Sequence, residues 1–487
     1  MDQSRPEDYR LKWYVMAAVA MGIFLATIDG SIVNIALPTL VNELHTDFST
    51  IQWVVLAYLL TITTLMLSIG RWADMVGKKR IYVWGFVIFT LGSLACGVST
   101  NVFMLITFRV IQAIGAAMMM ALGSAIVTEN FPPSERGKAL GITGLIVSIG
   151  IITGPTMGGL ILGTFSWHWI FFVNLPVGIV GLVMVIKFVP DIIPGKKQKF
   201  DFLGAVTLFI SLVCLLFGLT IGETNGFLTL PVIALAIGFI FFLGAFLRVE
   251  SKSSQPMIDL GLFRNLYFST NLVTGFITFI AFSGTMILMP FFLEDLQHYS
   301  PQMVGLLMAV VPVCMGIIAP LSGMLSDRWG SRPFTIAGLG MLIIGYIGVS
   351  TLTLETSAIG YVLRFLPVGI GAGLFQSPNN SAIMSEAPRD RMGVASGLLS
   401  ITRTLGQITG IATLGAIWSA RIIHRSLPAV VNSSSEAAPL IQVQALNDTT
   451  IIVVILLTMG ITISIFTWFK ERSKKHFGME ISRVHPE

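Results

Sequence analysis

Charged side chains are scarce in this chain of 487 residues: Asp, Glu, Lys and Arg make up 11% of it, and hydrophobic residues make up 54%. Such a composition provides too little polar surface to cover a soluble body of this size. Cysteine is also rare, since only Cys96, Cys214 and Cys314 occur, without a CxxC or Cys/His cluster. A disulfide framework and a cysteine metal site are therefore not expected.

Long apolar stretches dominate the chain instead. A helix needs about 20 predominantly apolar residues to cross roughly 30 Å of hydrocarbon, and fourteen stretches meet this length. They lie near 13–38, 51–70, 80–98, 102–127, 138–163, 168–189, 202–222, 228–248, 268–292, 302–325, 333–353, 358–384, 394–419 and 449–469. The sequence predicts an all-α integral membrane protein with fourteen transmembrane helices.

The basic residues predict how these spans are oriented. The amino terminus, the loops after even-numbered spans and the carboxy-terminal tail hold 25 of the 30 Lys and Arg, whereas the loops after odd-numbered spans hold only Arg421 and Arg425. By the positive-inside rule, both termini of this multi-pass protein lie on the cytoplasmic side of the cell membrane. The net charge of +5 reflects topology, so we expect no binding to nucleic acid. The stretch 421–448 is predicted to be a flexible external loop.

An internal repeat relates the two ends of the chain. The loop Gly70–Arg80 follows span 2 and the similar loop Gly323–Arg332 follows span 10, at an offset of 323 − 70 = 253 residues. The sequences SAIVTE at 124–129 and SAIMSE at 381–386 close spans 4 and 12 at an offset of 257. Spans 1–6 therefore correspond to spans 9–14, and spans 7 and 8 are additional. Parallel repeats of this kind place a substrate site near the midplane between the halves.

This pattern resembles the fourteen-span drug:proton antiporters of the major facilitator superfamily, and the resemblance covers nearly the whole chain. It implies a multidrug exporter that moves small amphipathic substrates against protons by alternating access. The proton gradient supplies the energy, so no cofactor is implied, and the protein is expected to function as a monomer in the lipid bilayer. The domains follow as a six-helix half at 1–190, two inserted helices at 191–265, a second half at 266–475 and a cytoplasmic tail at 476–487.

Asp29 is the only carboxylate that we place deep in a span, where an acid is costly and usually faces a protein interior or a water-filled cavity. It lies roughly 24 Å from the inner end of span 1, and Arg109 lies roughly 10 Å from the outer end of span 4. Because these depths match in a core of about 30 Å, the two could pair or exchange partners through water. The resemblance implies a proton and substrate site that also includes Asn34 and Gln112. A purely structural carboxyl and arginine remain the alternative.

Span 5 contains a proline flanked by glycines, namely Gly150, Gly154, Pro155, Gly158 and Gly159. Proline kinks a helix, and glycines at four-residue spacing let a neighbouring helix approach closely. The stretch resembles the antiporter motif of the superfamily, which implies a role in the conformational change of an exporter. An ordinary glycine-rich packing helix is the alternative.

The two repeated cytoplasmic loops are too short for chemistry but suit a gate. The resemblance implies that an aspartate and basic residues of these loops contact the opposite half when the inside is closed. The expected gate residues are Gly70, Asp74, Gly77 and Arg80, with Asp327 and Arg328 as their counterparts in the repeat.

Three further residues are candidates for lining a cavity. Arg364 and Arg403 fall inside spans 12 and 13 and would make the cavity positive, which favours neutral, zwitterionic, monocationic or anionic substrates over dications. His168 opens span 6 between two tryptophans, where the family commonly has an arginine, and could make a pH-dependent interaction. An interfacial anchor is the alternative for His168.

Two rival functions remain open. The same scaffold could export one endogenous metabolite, siderophore or lipid rather than many drugs. A membrane-embedded enzyme or receptor is the rival from another class, but the chain has no HExxH, GxSxG or P-loop motif. We therefore expect a transporter and not an enzyme.

Overall fold

The computed structural model describes residues 11–132, 135–191, 202–252, 260–386, 392–430 and 437–484. All regular secondary structure in these ranges is helical, as expected where backbone polar groups must be satisfied within each segment of a membrane protein. The α-helices are α1 (Lys12–Glu43), α2 (Phe48–Ile51), α3 (Trp53–Val76), α4 (Lys78–Gly97), α5 (Val102–Asn130), α6 (Arg136–Thr164), α7 (Trp169–Phe172), α8 (Asn174–Phe188), α9 (Phe202–Asn225), α10 (Leu230–Lys252), α11 (Leu266–Phe291), α12 (Pro301–Met308), α13 (Val310–Trp329), α14 (Ser331–Val349), α15 (Ala358–Glu386), α16 (Met392–Val430) and α17 (Ala437–Val484). A 3-10 turn at Leu260–Arg264 precedes α11, and a π-helical turn at Phe292–Leu296 follows it.

Thirteen helical segments in the described ranges are long and apolar enough to cross a membrane. Predicted span 6 corresponds to α7 with α8, and predicted span 10 to α12 with α13. The predicted span that these thirteen do not include is span 13 at 394–419. It corresponds to α16, which has 39 residues but is less apolar because its first half is rich in Ser, Thr and Gly and contains Arg403. The all-α membrane fold with fourteen helices is confirmed.

The predicted flexible loop at 421–448 is wrong for the residues that the structure describes there. Helix α16 continues to Val430 and α17 begins at Ala437, while 431–436 lie outside the described residues. Arg425 joins the two helices, since its Nη2 lies 2.7 Å from Oδ2 of Asp448 and its Nη1 donates to Oε1 of Gln444 at 2.8 Å. Three polar residues of this stretch, Arg425, Gln444 and Asp448, are thus paired between the two helices.

Two compact units are present in the chain. The first lies within the bounds Met1–Met257, Met286–Pro312 and Ile411–Ala416, and the second comprises Ile258–Thr285, Val313–Gly410 and Ile417–Glu487. The end of α11, the π-helical turn and α12 therefore pack with the first six spans, although they come later in the sequence.

The internal repeat is visible in two turns that each contain a glycine. Gly77 separates α3 from α4 with φ 110°, and Gly330 separates α13 from α14 with φ 84°. These glycines are 253 residues apart (330 − 77), the same offset as in the sequence repeat. Only glycine adopts such backbone conformations without a steric cost, which explains why both turns contain one.

Close helix packing follows the same repeat within each unit. On the α4 and α5 pair, a Cβ atom on Gly115 would lie 2.6 Å from the carbonyl oxygen of Gly85. On the α14 and α15 pair, a Cβ atom on Gly371 would lie 2.8 Å from the carbonyl oxygen of Gly338. Spans 3 and 4 are thus packed through glycine in the same way as spans 11 and 12.

Candidate functional site

An ion pair lies in the interior of the first unit. Nη1 of Arg109 on α5 lies 2.5 Å from Oδ2 of Asp29 on α1, and both side chains are 0% exposed. The sequence predicted that the two residues lie at similar depths, and the structure brings them into direct contact. The two charges neutralise each other, so this pair gives the site no net positive charge.

The second carboxylate oxygen of Asp29 accepts two further hydrogen bonds. Nε2 of Gln112 donates to Oδ1 at 2.9 Å, and Nδ2 of Asn174 on α8 donates to the same oxygen at 3.0 Å. Asp29 therefore accepts three hydrogen bonds, all from N–H donors. Donors on every side stabilise an ionised carboxylate.

Ser93 on α4 completes this cluster. Its hydroxyl donates to the carbonyl oxygen of Phe171 at 2.9 Å and accepts from Gln112 at 3.1 Å and from Asn174 at 3.0 Å. Neither Ser93 nor Asn174 was among the site residues predicted from the sequence. Asn174 offered a signal, because it is an amide inside an otherwise apolar stretch, whereas a lone serine in a span offers none.

Arg109 is enclosed by the neighbouring helix α3. Its Nε donates to the carbonyl oxygen of Val54 at 3.0 Å, and its guanidinium carbon lies 4.0 Å from the ring centroid of Tyr58. Nη1 also donates to Oε1 of Gln112 at 2.8 Å. The buried Nη2 has no hydrogen-bond partner among the described residues, so its N–H groups can still donate a hydrogen bond to a polar group.

The glycine motif of α6 packs against α1 at Thr27 and Ser31, which precede and follow Asp29 in the sequence. A Cβ atom on Gly150 would lie 2.2 Å from Oγ1 of Thr27, and one on Gly154 would lie 1.9 Å from Oγ of Ser31. The hydroxyl of Ser31 donates to the carbonyl oxygen of Gly150 at 3.2 Å. These glycines allow α6 to lie directly against the segment of α1 that carries the acid.

The motif also touches α12, which belongs to the same compact unit. A Cβ atom on Gly305 would lie 2.6 Å from the carbonyl oxygen of Pro155 and 3.1 Å from Cα of Gly159. Gly158 packs on α1 instead, where its Cβ would meet Ile32 at 3.0 Å. The motif therefore forms two close helix contacts, one with α1 and one with α12.

Asn34 lies outside the Asp29 cluster. Its side chain is half-buried on α1, and Nδ2 is 3.5 Å from the carbonyl oxygen of Gly30, one turn earlier. Its Oδ1 is buried without a hydrogen-bond partner in the described part of the chain. The structure therefore separates Asn34 from the other three predicted residues of the proton and substrate site.

Arg364 makes different contacts from those of Arg109. It donates to Oγ1 of Thr351 at 3.0 Å and to the carbonyl oxygen of Gly360 at 2.9 Å. Gly115 on α5 and Gly371 on α15 make equivalent contacts and are 256 residues apart. The same offset places Phe365, which is 1% exposed, at the position that corresponds to Arg109. Arg364 comes one residue before Phe365, and a shift of one residue turns a side chain by about 100° around a helix.

Arg403, the other arginine predicted to line a cavity, is half-buried on α16.

His168 lies next to the short helix α7 and stacks on Trp167, with ring centroids 3.8 Å apart. Partial burial lowers the pKa of its imidazole and outweighs the opposing effects of Glu43 and of a hydrogen bond with the backbone of Ser99. The side chain is thus neutral at pH 7, which fits an interfacial anchor better than a substitute for a charged arginine.

The predicted gate residues occupy exposed or irregular positions. Gly77 forms the turn described above, whereas a Cβ atom on Gly70 would meet nothing within 4 Å. Nε of Arg80 lies 3.8 Å from Oδ2 of Asp191, and both side chains are exposed. In the repeat, Asp327 and Arg328 are exposed on the last turn of α13. The side chain of Asp74 lies outside the described residues.

The comparison with known proteins gives the family. A family model described as Major Facilitator Superfamily matches residues 19–411. The chain belongs to the Major Facilitator Superfamily. It is therefore a multi-pass membrane transporter and not an enzyme.

Individual members of the superfamily resemble this chain along most of their length. The riboflavin transporter RibZ of Clostridioides difficile (strain 630) is 38% identical over 85% of this chain and 90% of that protein. The multidrug resistance protein Stp of Mycobacterium tuberculosis (strain CDC 1551 / Oshkosh) is 32% identical over 84% of this chain and 76% of that protein. The resemblance to multidrug exporters that the sequence predicted is confirmed.

A solved structure supports the superfamily fold. A bacterial homologue of the human lysosomal transporter Spinster, in an inward-facing and unoccupied conformation, has a TM-score of 0.66 and 18% sequence identity. The alignment covers 95% of this chain and 97% of the other. At this identity the likeness shows the fold alone.

Proposed function

We propose that this transporter exports amphipathic small molecules across the cytoplasmic membrane in exchange for protons, by alternating access and as a monomer with both termini in the cytoplasm. The observation that carries the proposal is the buried carboxylate of Asp29, held by hydrogen-bond donors from α5 and α8. A carboxyl in this position can bind one proton without any cofactor. The energy then comes from the proton gradient.

The hydrogen bonds indicate how proton binding would change the site. Protonation removes the negative charge of Asp29, so the ion pair with Arg109 is lost and the hydrogen bonds to the carboxyl group weaken. Arg109 and Gln112 attach α1 to α5, and Asn174 attaches α1 to α8. A proton on Asp29 therefore weakens a connection between helices, which is the coupling that an antiporter needs.

Arg109 would keep its charge when Asp29 becomes neutral. The N–H group that faces Asp29 is then held less strongly, and Nη2 has no partner among the described residues. A substrate with a hydrogen-bond acceptor or a negative group can compete for these donors. Proton and substrate would thus compete within one cluster, without the need for a second charged residue.

Relatives support two substrate ranges. A multidrug resistance protein at 32% identity supports a broad set of amphipathic drugs. A riboflavin transporter at 38% identity supports the alternative, a dedicated transporter for one endogenous compound. The chemistry at Asp29 is compatible with both.

Transport in inverted membrane vesicles tests the proposal. We would apply a pH gradient and measure the accumulation of a fluorescent monocation and of riboflavin, with wild type, Asp29→Asn and the control Glu355→Gln, which removes an exposed carboxylate. Uptake of the monocation by wild type and the control, but not by Asp29→Asn, is the expected result. Uptake of riboflavin alone would favour the dedicated transporter. Equal uptake by all three variants would contradict the role of Asp29.

The domains and the gate extend the proposal. We assign the halves to 1–190 and 266–475, with 191–265 inserted between them and a tail at 476–487. The turns around Gly77 and Gly330 would carry the cytoplasmic gate. Asp74→Asn should slow transport while substrate binding persists, and an unchanged rate at equal protein level would remove Asp74 from the gate.

A further inference from the structure

A second carboxyl group lies in the π-helical turn that follows α11. Oε1 of Glu294 accepts a hydrogen bond from Oγ1 of Thr39 on α1 at 3.1 Å. Oε2 of Glu294 is buried and has no hydrogen-bond partner among the described residues. The predicted span ended at residue 292 and did not include this group, because the membrane-crossing segment continues to Leu296.

Glu294 is separate from the Asp29 cluster. Thr39 follows Asp29 by ten residues on α1, which corresponds to about 15 Å along the helix axis. The direction is away from the amino terminus, so with cytoplasmic termini Glu294 lies towards the outer side. A π-helical turn inserts an extra residue into the helix and frequently occurs at functional sites. Here the wider turn is shown by the bond from the N–H of Gln297 to the carbonyl oxygen of Phe292 at 3.1 Å.

The segment 286–312 is held against the first six spans at several points. The ring of Phe291 lies 5.0 Å from that of Phe48 on α2, and Gly305 packs against α6 as described above. The Thr39–Glu294 hydrogen bond adds a polar link to α1. Apolar contacts are indifferent to pH, whereas this polar link depends on the protonation of one carboxyl group.

No basic side chain neutralises Glu294 within the described elements around it. On its own segment, Asp295 is exposed and adds negative charge, and His298 acts on Asp295. Glu43 lies at the end of α1, Asp47 precedes α2 and the exposed His45 lies between them, so this connection carries two acids and one imidazole. Helix α12 and the part of α6 from Gly150 onwards contain no titratable side chain.

A carboxylate in these surroundings is costly, because burial of an unpaired charge is more expensive than burial of a neutral acid. The contact between Glu294 and α1 is therefore stable when Glu294 is protonated. An ionised Glu294 favours exposure to water and hence separation of its segment from α1. Protonation from the outer solution would close this contact.

We propose that Glu294 is a second proton-binding site, which holds the segment 286–312 against α1 when it is protonated. This inference rests on the proposed proton antiport for its role in transport. In that cycle, a proton taken up from outside allows the outer side to close. Nothing in the Asp29 cluster is needed for the contact itself.

Distance measurement between spin labels tests the proposal without transport. The labels are attached through Asn42→Cys and Ser300→Cys, two exposed positions, in full-length protein with Cys214→Ala and Cys314→Ala in lipid nanodiscs. Cys96 is buried and stays unlabelled. As the pH falls from about 9 to about 5, the short-distance population should rise several-fold. A population that does not change with pH would overturn the proposal.

Three variants identify the group that responds. Glu294→Gln should keep the short distance at every pH, whereas Asp295→Asn, one residue away and exposed, should respond as the parent protein does. Thr39→Val should keep the pH response with a smaller short-distance population, and it serves as the second test if Glu294→Gln does not fold. A response that survives Glu294→Gln and disappears in Asp29→Asn would assign the proton to Asp29 instead.

The two proposals can fail separately. The distance measurement needs neither substrate nor a pH gradient, so it is unaffected if vesicle transport is absent. Conversely, vesicle transport that depends on Asp29 can be observed even when the label distance ignores pH. Absence of vesicle transport would reject proton antiport. A label distance that does not change with pH would reject the role of Glu294.

Discussion

Asn174 on α8 donates a hydrogen bond of 3.0 Å to Asp29 on α1, 145 residues earlier in the chain. This bond ties the start of the sixth span to the acid that we assign to proton coupling. It also explains a polar residue in a stretch that is otherwise suited to lipid or packing.

Replacement of Asn174 by Leu should destabilise the protein and slow transport. Loss of one hydrogen bond to a buried charged group costs about 1–3 kcal/mol, because the carboxylate of Asp29 loses one of its donors. Thermal unfolding in detergent and vesicle transport measure both effects, with the exposed Asn42→Ala as control. An unchanged melting temperature would show that the hydrogen bond from Asn174 does not hold α8 to α1.

Arg109→Ala and Arg364→Ala should differ strongly. Removal of one partner from a buried ion pair costs about 3–5 kcal/mol, so Arg109→Ala should unfold at lower temperature and lose transport. Arg364 bonds to Thr351 and to a carbonyl oxygen at the edge of α15, and its removal should cost less than about 1 kcal/mol. Thermal unfolding in detergent and vesicle transport measure both effects. Equal losses would mean that Arg364 has a role that its contacts do not reveal.

Gly154→Ala should disrupt the contact between α6 and α1. The added Cβ would lie 1.9 Å from Oγ of Ser31, and overpacking of this kind typically costs about 1–3 kcal/mol. The double variant with Ser31→Gly should recover part of the loss. Gly144→Ala on the same helix is the control, because its Cβ would meet nothing within 4 Å. Similar melting temperatures for the two alanine variants would contradict the packing argument.

Gly77→Ala and Gly330→Ala should both be destabilising, because each glycine has a positive φ. An L-residue in a left-handed conformation costs roughly 1–2 kcal/mol. Gly70→Ala should instead be neutral or stabilising, since Gly70 lies within α3 with open space beside it and alanine favours helix. Unfolding temperatures of the three variants provide the comparison, and tolerance of alanine at position 77 would contradict the turn geometry.

His168→Gln should leave transport at pH 7–8 unchanged. Burial lowers the pKa of His168, so the imidazole is already neutral there. The folded protein binds this proton less readily than the unfolded chain, so stability falls as the pH drops below the ordinary value of about 6.5. The variant should therefore lose less stability than wild type at pH 5–6. Melting temperatures at both pH values measure this difference, and a transport defect at pH 8 would contradict the anchor role.

Periodic and repeated features could be predicted from the sequence because they depend on local chain properties. The lengths of the apolar stretches predicted the fourteen helices, and the similarity of the loops around Gly77 and Gly330 predicted the internal repeat. Asp29 was recognisable because an acid in a span is rare. The same reasoning failed for 421–448, where Arg425 and Asp448 satisfy each other between two helices.

Sequence alone determined the membrane location, the helical fold and the choice of Asp29 and Arg109, since each follows from hydrophobicity, glycine geometry or the cost of a buried charge. Only the tertiary structure decided which groups meet. Asn174 and Ser93 join Asp29 through the rotation and depth of α8 and α4, and a one-residue shift replaces an arginine by Phe365 in the repeat. These outcomes depend on how separate helices turn about their axes, and hydrophobic periodicity does not specify that rotation finely enough to place individual polar atoms.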